Sequence, residues 1–364
     1  MFRCSNCLNT STRPRISFDG NGVCNACRWA EEKKNIKWSE RQKILKNFFN
    51  KKNKKSKYDC IVPVSGGKDG SYVSYTIKKK FKINPLCITV RPPLELDLGS
   101  KNLLNFVNSG FDHIHITPNT RVMKELNYLG FKNMGFPYYG WLISIFSSMQ
   151  AIAISMNIGL IIYGEDGEVE YGGSDKTKNK PFFNPNYSKK IYFEGGYNKI
   201  IKKVKGTNSE KNFFLFPESK KLDKIRTTHW SYFENWDPYR NYLVAKKHCG
   251  LQENAETNSG TFTNFAQNDQ AFYALHTYMM YLKFGFGRAT QDAGIEIRRG
   301  AMTRSQGVNL VKLYDNNYPK KFIPIYLDYY QISKNEFDKI IDKWANKKLF
   351  KKINNTWQPK FEVE

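Results

Sequence analysis

The sequence predicts an α/β protein: a parallel sheet flanked by helices, with a small cysteine-rich module before it and a mainly helical region after it. Three observations support this prediction. Four of the seven cysteines lie in the first 27 residues. Between residues 58 and 163, short β-branched runs alternate with helix-length segments, as in parallel strands joined by crossover helices. After residue 212, aromatic residues recur at helical spacing.

These patterns divide the 364 residues into four predicted parts. They are the cysteine-rich module (1–34), a helix with a Lys-rich linker (35–57), the sheet domain (58–212) and a helical region for substrate or partner binding (213–364). Gly, Pro, Asn and Lys are frequent between residues 168 and 212, so we expect a long loop near the functional site, with a mobile lid as one role for it.

The composition excludes a disordered chain, because 40 % of the residues are hydrophobic. The apolar stretch from Trp141 to Gly164 is interrupted at Asn157 and Gly159, so it predicts a helix and a strand rather than a membrane span. The formal net charge of +25 would suit nucleic acid, anionic lipid or phosphorylated metabolites. Lys exceeds Arg throughout, however, so we interpret the charge as a solvated surface and predict no nucleic-acid partner. The N-terminus lacks an apolar signal core, which predicts a cytoplasmic protein.

The N-terminal cysteines form two close pairs, Cys4 with Cys7 and Cys24 with Cys27, with 16 residues between the pairs. Each pair supplies two thiolates from one tight turn, and two such turns complete a tetrahedral Zn²⁺ site. An iron–sulfur cluster or redox-active thiols are the alternatives. Because the protein fills all four positions, we expect a structural site. The stretch FDGNGVCNAC resembles treble-clef or zinc-ribbon modules.

A glycine-rich turn, SGGKDGS, follows the first predicted strand. Glycine leaves no Cβ in the path of a phosphate, and a helix starting near Gly70 would direct free N–H groups and its positive dipole end to the same place. Lys68 adds a positive charge, and Asp69 can bind Mg²⁺. The predicted nucleotide-binding residues of the turn are Ser65, Gly66, Gly67, Lys68, Asp69, Gly70 and Ser71.

This turn resembles the SGGxDS pyrophosphate-binding loop of the ATP pyrophosphatase (PP-loop) superfamily, with Gly70 inserted between Asp69 and Ser71. It matches neither a Walker A loop nor a GxGxxG dinucleotide turn. The resemblance implies an enzyme that binds the pyrophosphate of ATP on this turn and transfers AMP to a substrate oxygen. Ammonia or a sulfur donor would then displace the AMP.

A second polar segment, GEDGEVEYGG, follows the fourth predicted strand. In an open parallel sheet it would leave the same edge as the glycine-rich turn, where ligands bind. Gly164 is therefore assigned to the nucleotide site. The carboxylates of the segment could hold Mg²⁺ or position an attacking amine, and a solvated acidic loop is the alternative. They belong to Glu165, Asp166, Glu168 and Glu170.

Together, the turn, the cysteine pairs, this segment and Phe284–Asp315 (FGFGRATQDAGIEIRRGAMTRSQGVNLVKLYD) resemble the N-acetyl sugar amidotransferase family, which includes the amidotransferases of pseudaminic acid, legionaminic acid and O-antigen acetamidino-sugar pathways. The resemblance implies conversion of a sugar N-acetyl group into an acetamidino group, through an O-adenylyl intermediate that ammonia displaces. It also implies ATP, Mg²⁺ and Zn²⁺. The assigned catalytic residues are Lys68, Asp69, Glu165 and Asp166, the last two for proton transfer.

The substrate would be an N-acetylated sugar, free or nucleotide-activated, that carries carboxylate or phosphate groups. Guanidinium groups suit both anions. Ordinary surface ion pairs are the alternative role for the arginines near the C-terminus. The residues assigned to the sugar are Glu170, Arg288, Arg298, Arg299 and Arg304.

The sequence shows no glutaminase signature. An N-terminal nucleophile would need Cys after Met1, where Phe2 stands, and Cys249 lies in no nucleophile elbow. We therefore expect free ammonia or a separate glutaminase subunit, and we predict the subunit as a partner.

Two rival functions remain. A PP-loop tRNA thiolation enzyme would need persulfide-carrying cysteines, and Cys60, Cys87 and Cys249 form no convincing pair. A zinc-bearing nucleic-acid-binding module with a degenerate ATP site is a non-enzymatic alternative, against which the intact Ser-Gly-Gly-Lys-Asp set argues.

Overall fold

The computed structural model describes residues 1–50, 56–193 and 196–364. Within them, five parallel strands form one sheet in the order β3-β2-β1-β4-β5. The strands are β1 (Cys60–Pro63), β2 (Pro85–Val90), β3 (His113–Ile116), β4 (Leu160–Tyr163) and β5 (Arg226–His229). The sheet confirms the predicted α/β class. Most of the Lys-rich end of the predicted linker, residues 51–55, lies outside the described residues.

Two helices precede the sheet and four cross between its first four strands. They are α1 (Asn25–Glu32), α2 (Trp38–Asn50), α3 (Lys68–Lys80), α4 (Asp97–Asn108), α5 (Thr120–Met134) and α6 (Tyr139–Ser155). Helix α3 begins before the predicted start near Gly70, because the extended Gly67 is its N-cap residue. Lys68 and Asp69 therefore lie in the first helical turn, beside the free N–H groups.

Alternate residues of the strands enter two separate cores, as the two-residue period of a strand requires. Ile61 and Leu86 join the core built with α5 and α6. Cys60 and Val62 face the other way, into the core built with α3 and α4. Both faces of the sheet are thus covered, which leaves the carboxyl ends of the strands as the open edge.

The structure corrects the predicted long loop between residues 168 and 212. Its described part contains three short helices, and Phe193 and Tyr197 are buried in the core that also contains α6. Burying one aromatic side chain stabilises the folded state by about 2–3 kcal/mol, which outweighs the weak helix propensity of this stretch. The helices are α7 (Gly167–Tyr171), α8 (Asn186–Tyr192) and α9 (Tyr197–Ile201).

The fifth strand lies beyond residue 212, where the sequence predicted the sheet domain to end. The sequence missed β5 because its residues, RTTH, include no apolar side chain, unlike those of the other four-residue strands. Helices α10 (Ser219–Leu222) and α11 (Pro238–Cys249) flank it, and α11 packs on α3.

The C-terminal region is helical, as predicted. Its helices are α12 (Phe272–Phe284), α13 (Arg288–Arg298), α14 (Arg304–Tyr314), α15 (Ile323–Tyr330) and α16 (Lys334–Trp344). It ends in an unpredicted hairpin, β6 (Phe350–Ile353) with β7 (Thr356–Pro359), whose turn residues Asn354 and Asn355 both have positive φ angles. Among the described residues, no helix combines the length and apolar character that crossing a membrane requires.

Candidate functional site

A cavity of about 380 Å³ lies beyond the carboxyl ends of β1 and β4. On one side it is lined by the turn after β1 and by Glu165, which follows β4. On the other side it is lined mainly by a loop and two helices between residues 265 and 291, together with Tyr138 just before α6. The sequence predicted residues of the first side, and of the second side it selected only Arg288.

The glycines of the turn have different structural roles. Gly66 has φ +75°, and a Cβ there would lie 2.3 Å from the backbone nitrogen of Leu103. A Cβ at Gly70 would lie 3.0 Å from the carbonyl oxygen of Pro63. These two glycines therefore allow α4 and β1 to approach the turn closely. Gly67 is the one that lines the cavity, together with Ser65.

The charged residues of the turn are held in place. Lys68 and Asp69 form an ion pair with each other, and both line the cavity. The amide of Asn241 on α11 donates a hydrogen bond to Asp69 Oδ1 at 3.1 Å. Ser71 is fully buried, and its hydroxyl has no hydrogen-bond partner among the described residues. Asn241 is a supporting residue that no sequence motif marks.

Glu165 and Asp166 are adjacent in sequence but have different structural surroundings. Glu165 lines the cavity and accepts a hydrogen bond from the Tyr171 hydroxyl at 2.9 Å. Burial, with a smaller effect from Asp69, raises the pKa of Glu165. Asp166 caps the N-terminus of α7 and accepts a hydrogen bond from Thr177. Asp166 does not line the cavity.

Gly164 lies where β4 approaches the turn. A Cβ at this position would come within 3.4 Å of the Asp69 Cβ and 3.2 Å of the Trp236 ring. The segment after β4 therefore reaches the predicted nucleotide site, as the sequence indicated.

Glu168 and Glu170 bind the N-terminal module instead of lining the cavity. Glu168 pairs with Arg15 at 2.7 Å. The carboxylate of Glu170 accepts a hydrogen bond from Trp29 at 2.9 Å and pairs with Lys33 at 2.7 Å.

The four assigned arginines are separated by the fold. Arg288, the first residue of α13, lines the cavity, with its Nε 2.8 Å from the Asp292 carboxylate. Arg298 and Arg304 donate hydrogen bonds to backbone oxygens near the cysteine module. Arg299 pairs with Glu296 at 2.7 Å. Of the four, the structure places only Arg288 where a sugar in this cavity would reach it.

The second wall combines buried titratable groups with aromatic and amide side chains. Burial raises the pKa of Asp269 to about 7 and lowers the pKa of His276 to about 3, so the imidazole is neutral at physiological pH. A polar pattern within an otherwise apolar helix, as in NDQAFYALHTY, is the signal that could have indicated this wall. Its other members include Tyr138, Phe265, Gln267, Asn268, Tyr273, Thr277, Met280 and Gln291.

The four N-terminal cysteines are buried, and their sulfur atoms all lie within 4.8 Å of one another. The Sγ–Sγ distances are 3.8 Å for Cys4 and Cys27 and 3.6 Å for Cys7 and Cys24. A tetrahedral ion with metal–sulfur bonds of about 2.3 Å needs sulfur atoms about 3.8 Å apart. The cluster therefore fits one metal ion, and its separations are too short for the thiolates around a four-iron cluster.

Comparison with known proteins identifies the region that forms the second wall. Residues 259–362 match the family model of the C-terminal domain of WbpG-like lipopolysaccharide biosynthesis proteins. The match supports the resemblance that the segment Phe284–Asp315 indicated. An uncharacterized protein of Methanocaldococcus jannaschii, MJ1599, is 32 % identical over 104 residues, which are 28 % of this chain and 38 % of that protein. The chain thus matches well under half of this relative.

Among solved structures, the U34-tRNA thiolase NcsA of Methanococcus maripaludis, determined with its 4Fe–4S cluster, aligns over 83 % of this chain and 87 % of its own. The sequence identity is 14 % and the TM-score is 0.35. Similarity at this level supports neither a shared ligand nor a shared reaction.

Proposed function

We propose that this chain, whose residues 259–362 match the WbpG-like C-terminal domain, is an ATP-dependent sugar amidotransferase. It would convert an N-acetyl group into an acetamidino group during surface-glycan or nonulosonic acid synthesis. One observation carries the proposal: a turn of the pyrophosphate-binding type and the matched region line the same cavity. A nucleotide and a sugar could therefore meet there.

In the first step, the acetamido oxygen attacks the α-phosphorus of ATP, and pyrophosphate leaves. Ser65, Gly67 and the first turn of α3 would hold the departing phosphates through hydroxyl and backbone N–H groups. Lys68 would supply positive charge, and Asp69 would bind Mg²⁺, which offsets phosphate charge when present. The product is an O-adenylyl imidate, whose carbon has AMP as a good leaving group.

In the second step, ammonia attacks the imidate carbon, AMP leaves, and a proton passes to a nearby carboxylate. Glu165 and Asp269 line the cavity and have raised pKa values, as a proton acceptor in this step requires. The amidine product is protonated at neutral pH. Asp69 and whichever of Glu165 and Asp269 has not accepted the proton would stabilise that positive charge after pyrophosphate has left.

The second wall would hold the sugar. Tyr138, Phe265 and Tyr273 offer aromatic surfaces, and amide side chains beside them offer donors and acceptors for hydroxyl groups. Arg288 would bind the carboxylate or phosphate of the substrate. Arg298, Arg299, Arg304 and Glu170 are not retained in this role, since other groups engage them.

Two accompanying components belong to the proposal. The four-cysteine cluster would hold Zn²⁺ as a structural ion, because it presents four thiolates and leaves no open position. The ammonia would come from a separate glutaminase subunit. Cys249 is buried, and burial raises its pKa to about 11, so it is unsuited to act as a glutaminase nucleophile.

The rival function, tRNA thiolation, would require a reactive cysteine near the cavity. Cys60, Cys87 and Cys249 are all buried, and none of them lines the cavity. Burial raises the pKa of Cys87 to about 12, which disfavours the nucleophilic thiolate. These observations favour the amidotransferase.

The test is a pyrophosphate-release screen of the zinc-loaded chain with N-acetylated nucleotide sugars and free sugars, in the presence of ammonium. The proposal expects pyrophosphate and AMP in equal amounts, and a sugar product lighter by the difference between O and NH. Formation of ADP, or release of pyrophosphate with tRNA and a sulfur donor alone, would contradict it. Replacing ammonium by glutamine tests whether a separate glutaminase subunit is needed. We expect the single chain to be inactive with glutamine.

A further inference from the structure

The four-cysteine module is docked on the segment that follows β4. The amide of Asn9 donates a hydrogen bond to the Tyr171 carbonyl at 3.1 Å, and the amide of Asn25 donates to the Gly173 carbonyl at 2.7 Å. Gly172 has φ +90°, and a Cβ there would lie 2.9 Å from the Asn9 amide nitrogen. This close approach requires glycine.

The same module also contacts the C-terminal helices. Arg304 on α14 donates a hydrogen bond to the Cys4 carbonyl at 3.4 Å. A Cβ at Gly307 would come within 2.9 Å of the Ile297 side chain and 3.1 Å of the Leu8 side chain. Ile297 itself packs beside the buried cysteines. The module therefore lies between the segment after β4 and helix α13.

The hydrogen-bonding groups of Arg298, the last residue of α13, are only partly satisfied by the protein. Arg298 donates one hydrogen bond to the Glu170 carbonyl at 3.2 Å, while its Nη1 is buried and has no hydrogen-bond partner among the described residues. The Glu170 carboxylate already binds two other side chains. Leaving a buried donor without a partner is unfavourable. Ile297, the preceding residue, packs beside the buried cysteines. Burial lowers the pKa of Arg298, and negative charge on three of the cysteine sulfur atoms, followed by that of Glu170, raises it.

A divalent ion bound by four thiolates would have a net charge of −2, opposite in sign to that of Arg298. We propose that the metal-bound cysteine cluster is the counter-ion of Arg298, and that this pair positions both walls of the cavity. Helix α13 connects Arg298 to the second wall, because it begins at Arg288. Tyr171 connects the module to the first wall, because its hydroxyl donates a hydrogen bond to Glu165. Arg298 is then a positioning residue rather than a sugar ligand.

The first test measures zinc release from the full chain to a chromogenic chelator. Arg298→Met should release zinc at least about tenfold faster than the unaltered protein, because outer residues tune metal affinity by about 10–100-fold. Arg298→Lys should restore part of the retention. Arg226→Met, at an exposed arginine that begins β5, is the matched control. Equal zinc release from folded Arg298→Met and unaltered protein would overturn the proposal.

The second test uses the unaltered protein and needs no variant to fold. Hydrogen exchange is compared for the zinc-loaded and the chelator-treated chain. Residues 165–173 and 288–298 should lose protection on zinc removal, while α3 should keep it. Loss confined to residues 1–32, or equal loss throughout the chain, would overturn the proposal. Because neither readout involves turnover, failure of the proposed reaction would leave this inference standing.

Discussion

The two walls of the cavity are built differently. The turn between β1 and α3 is one continuous stretch, whose backbone N–H groups and adjacent charges come from neighbouring residues. The opposite wall is assembled from a loop and the helices α12 and α13. Under the proposed function, each wall would bind a different substrate. Backbone groups suit phosphates, which every ATP shares, whereas side chains from several elements suit a particular sugar.

The largest effect is expected at the continuous wall. Lys68→Ala should lower kcat/KM for pyrophosphate release by about 100–1000-fold, because a preorganised charge at the departing phosphates is removed. Lys79→Ala is the matched control, since Lys79 lies on the same helix but is exposed. A loss smaller than fivefold at Lys68 would contradict the assignment of the nucleotide to this wall.

A smaller but specific effect is expected from the proton acceptor. With the Asp269 pKa near 7, the carboxylate form increases with pH, so kcat/KM should rise up to about pH 7 and then level off. Asp269→Asn should lower the rate about 100-fold and remove this dependence. The raised pKa also means that folding favours the protonated form. The stability that this contributes at low pH is lost as the pH rises towards 7, so Asp269→Asn should be at least as stable as the unaltered protein at pH 8. An unchanged pH profile would point to Glu165 instead.

The assembled wall should affect the sugar more than ATP. Arg288→Met should raise the KM for the sugar about 10–100-fold with little change in the KM for ATP, because a charged hydrogen-bond donor to the sugar is lost. The Arg226→Met variant again provides the control. Equal increases in both KM values would show that the two walls do not divide the substrates.

The smallest effect on rate is expected at Asp166. Removal of this helix cap in Asp166→Ala should lower the free energy of unfolding by about 1 kcal/mol, measured by urea denaturation. Glu165→Gln, one residue away, should reduce the rate far more. The opposite ranking of the two variants would place the proton acceptor outside the cavity.

The contrast between the walls also explains what the sequence could predict. The turn, its preceding strand and its following helix are contiguous. The local pattern was therefore sufficient to select four residues that line the cavity, Ser65, Gly67, Lys68 and Asp69. Asp269, just before α12, and His276, on it, reach the cavity only through the packing of that helix, and the polar residues of NDQAFYALHTY are a weaker signal than a contiguous glycine-rich turn. Likewise, the spacing of Arg288 and Arg298 on one helix did not indicate that one end of the helix lines a cavity while the other lies beside the cysteine module.

The short elements were missed for a related reason. Strand β5 has four residues and is recognisable only because β4 lies beside it. The helices between residues 167 and 201 form because aromatic side chains find a core, which composition alone does not show. The hairpin at the C-terminus is an exception, since its Asn354-Asn355 pair, with positive φ at both residues, is a local turn signal.

The most direct test of the account follows one oxygen atom. An N-acetyl sugar that turns over in the screen is prepared with ¹⁸O in the acetyl carbonyl and incubated with ATP, ammonium and the zinc-loaded chain, and the nucleotide product is analysed by mass spectrometry. We expect the label in AMP, because the acetyl oxygen becomes bonded to the α-phosphorus and leaves with it. Unlabelled AMP, or label retained in the sugar product, would contradict the central claim.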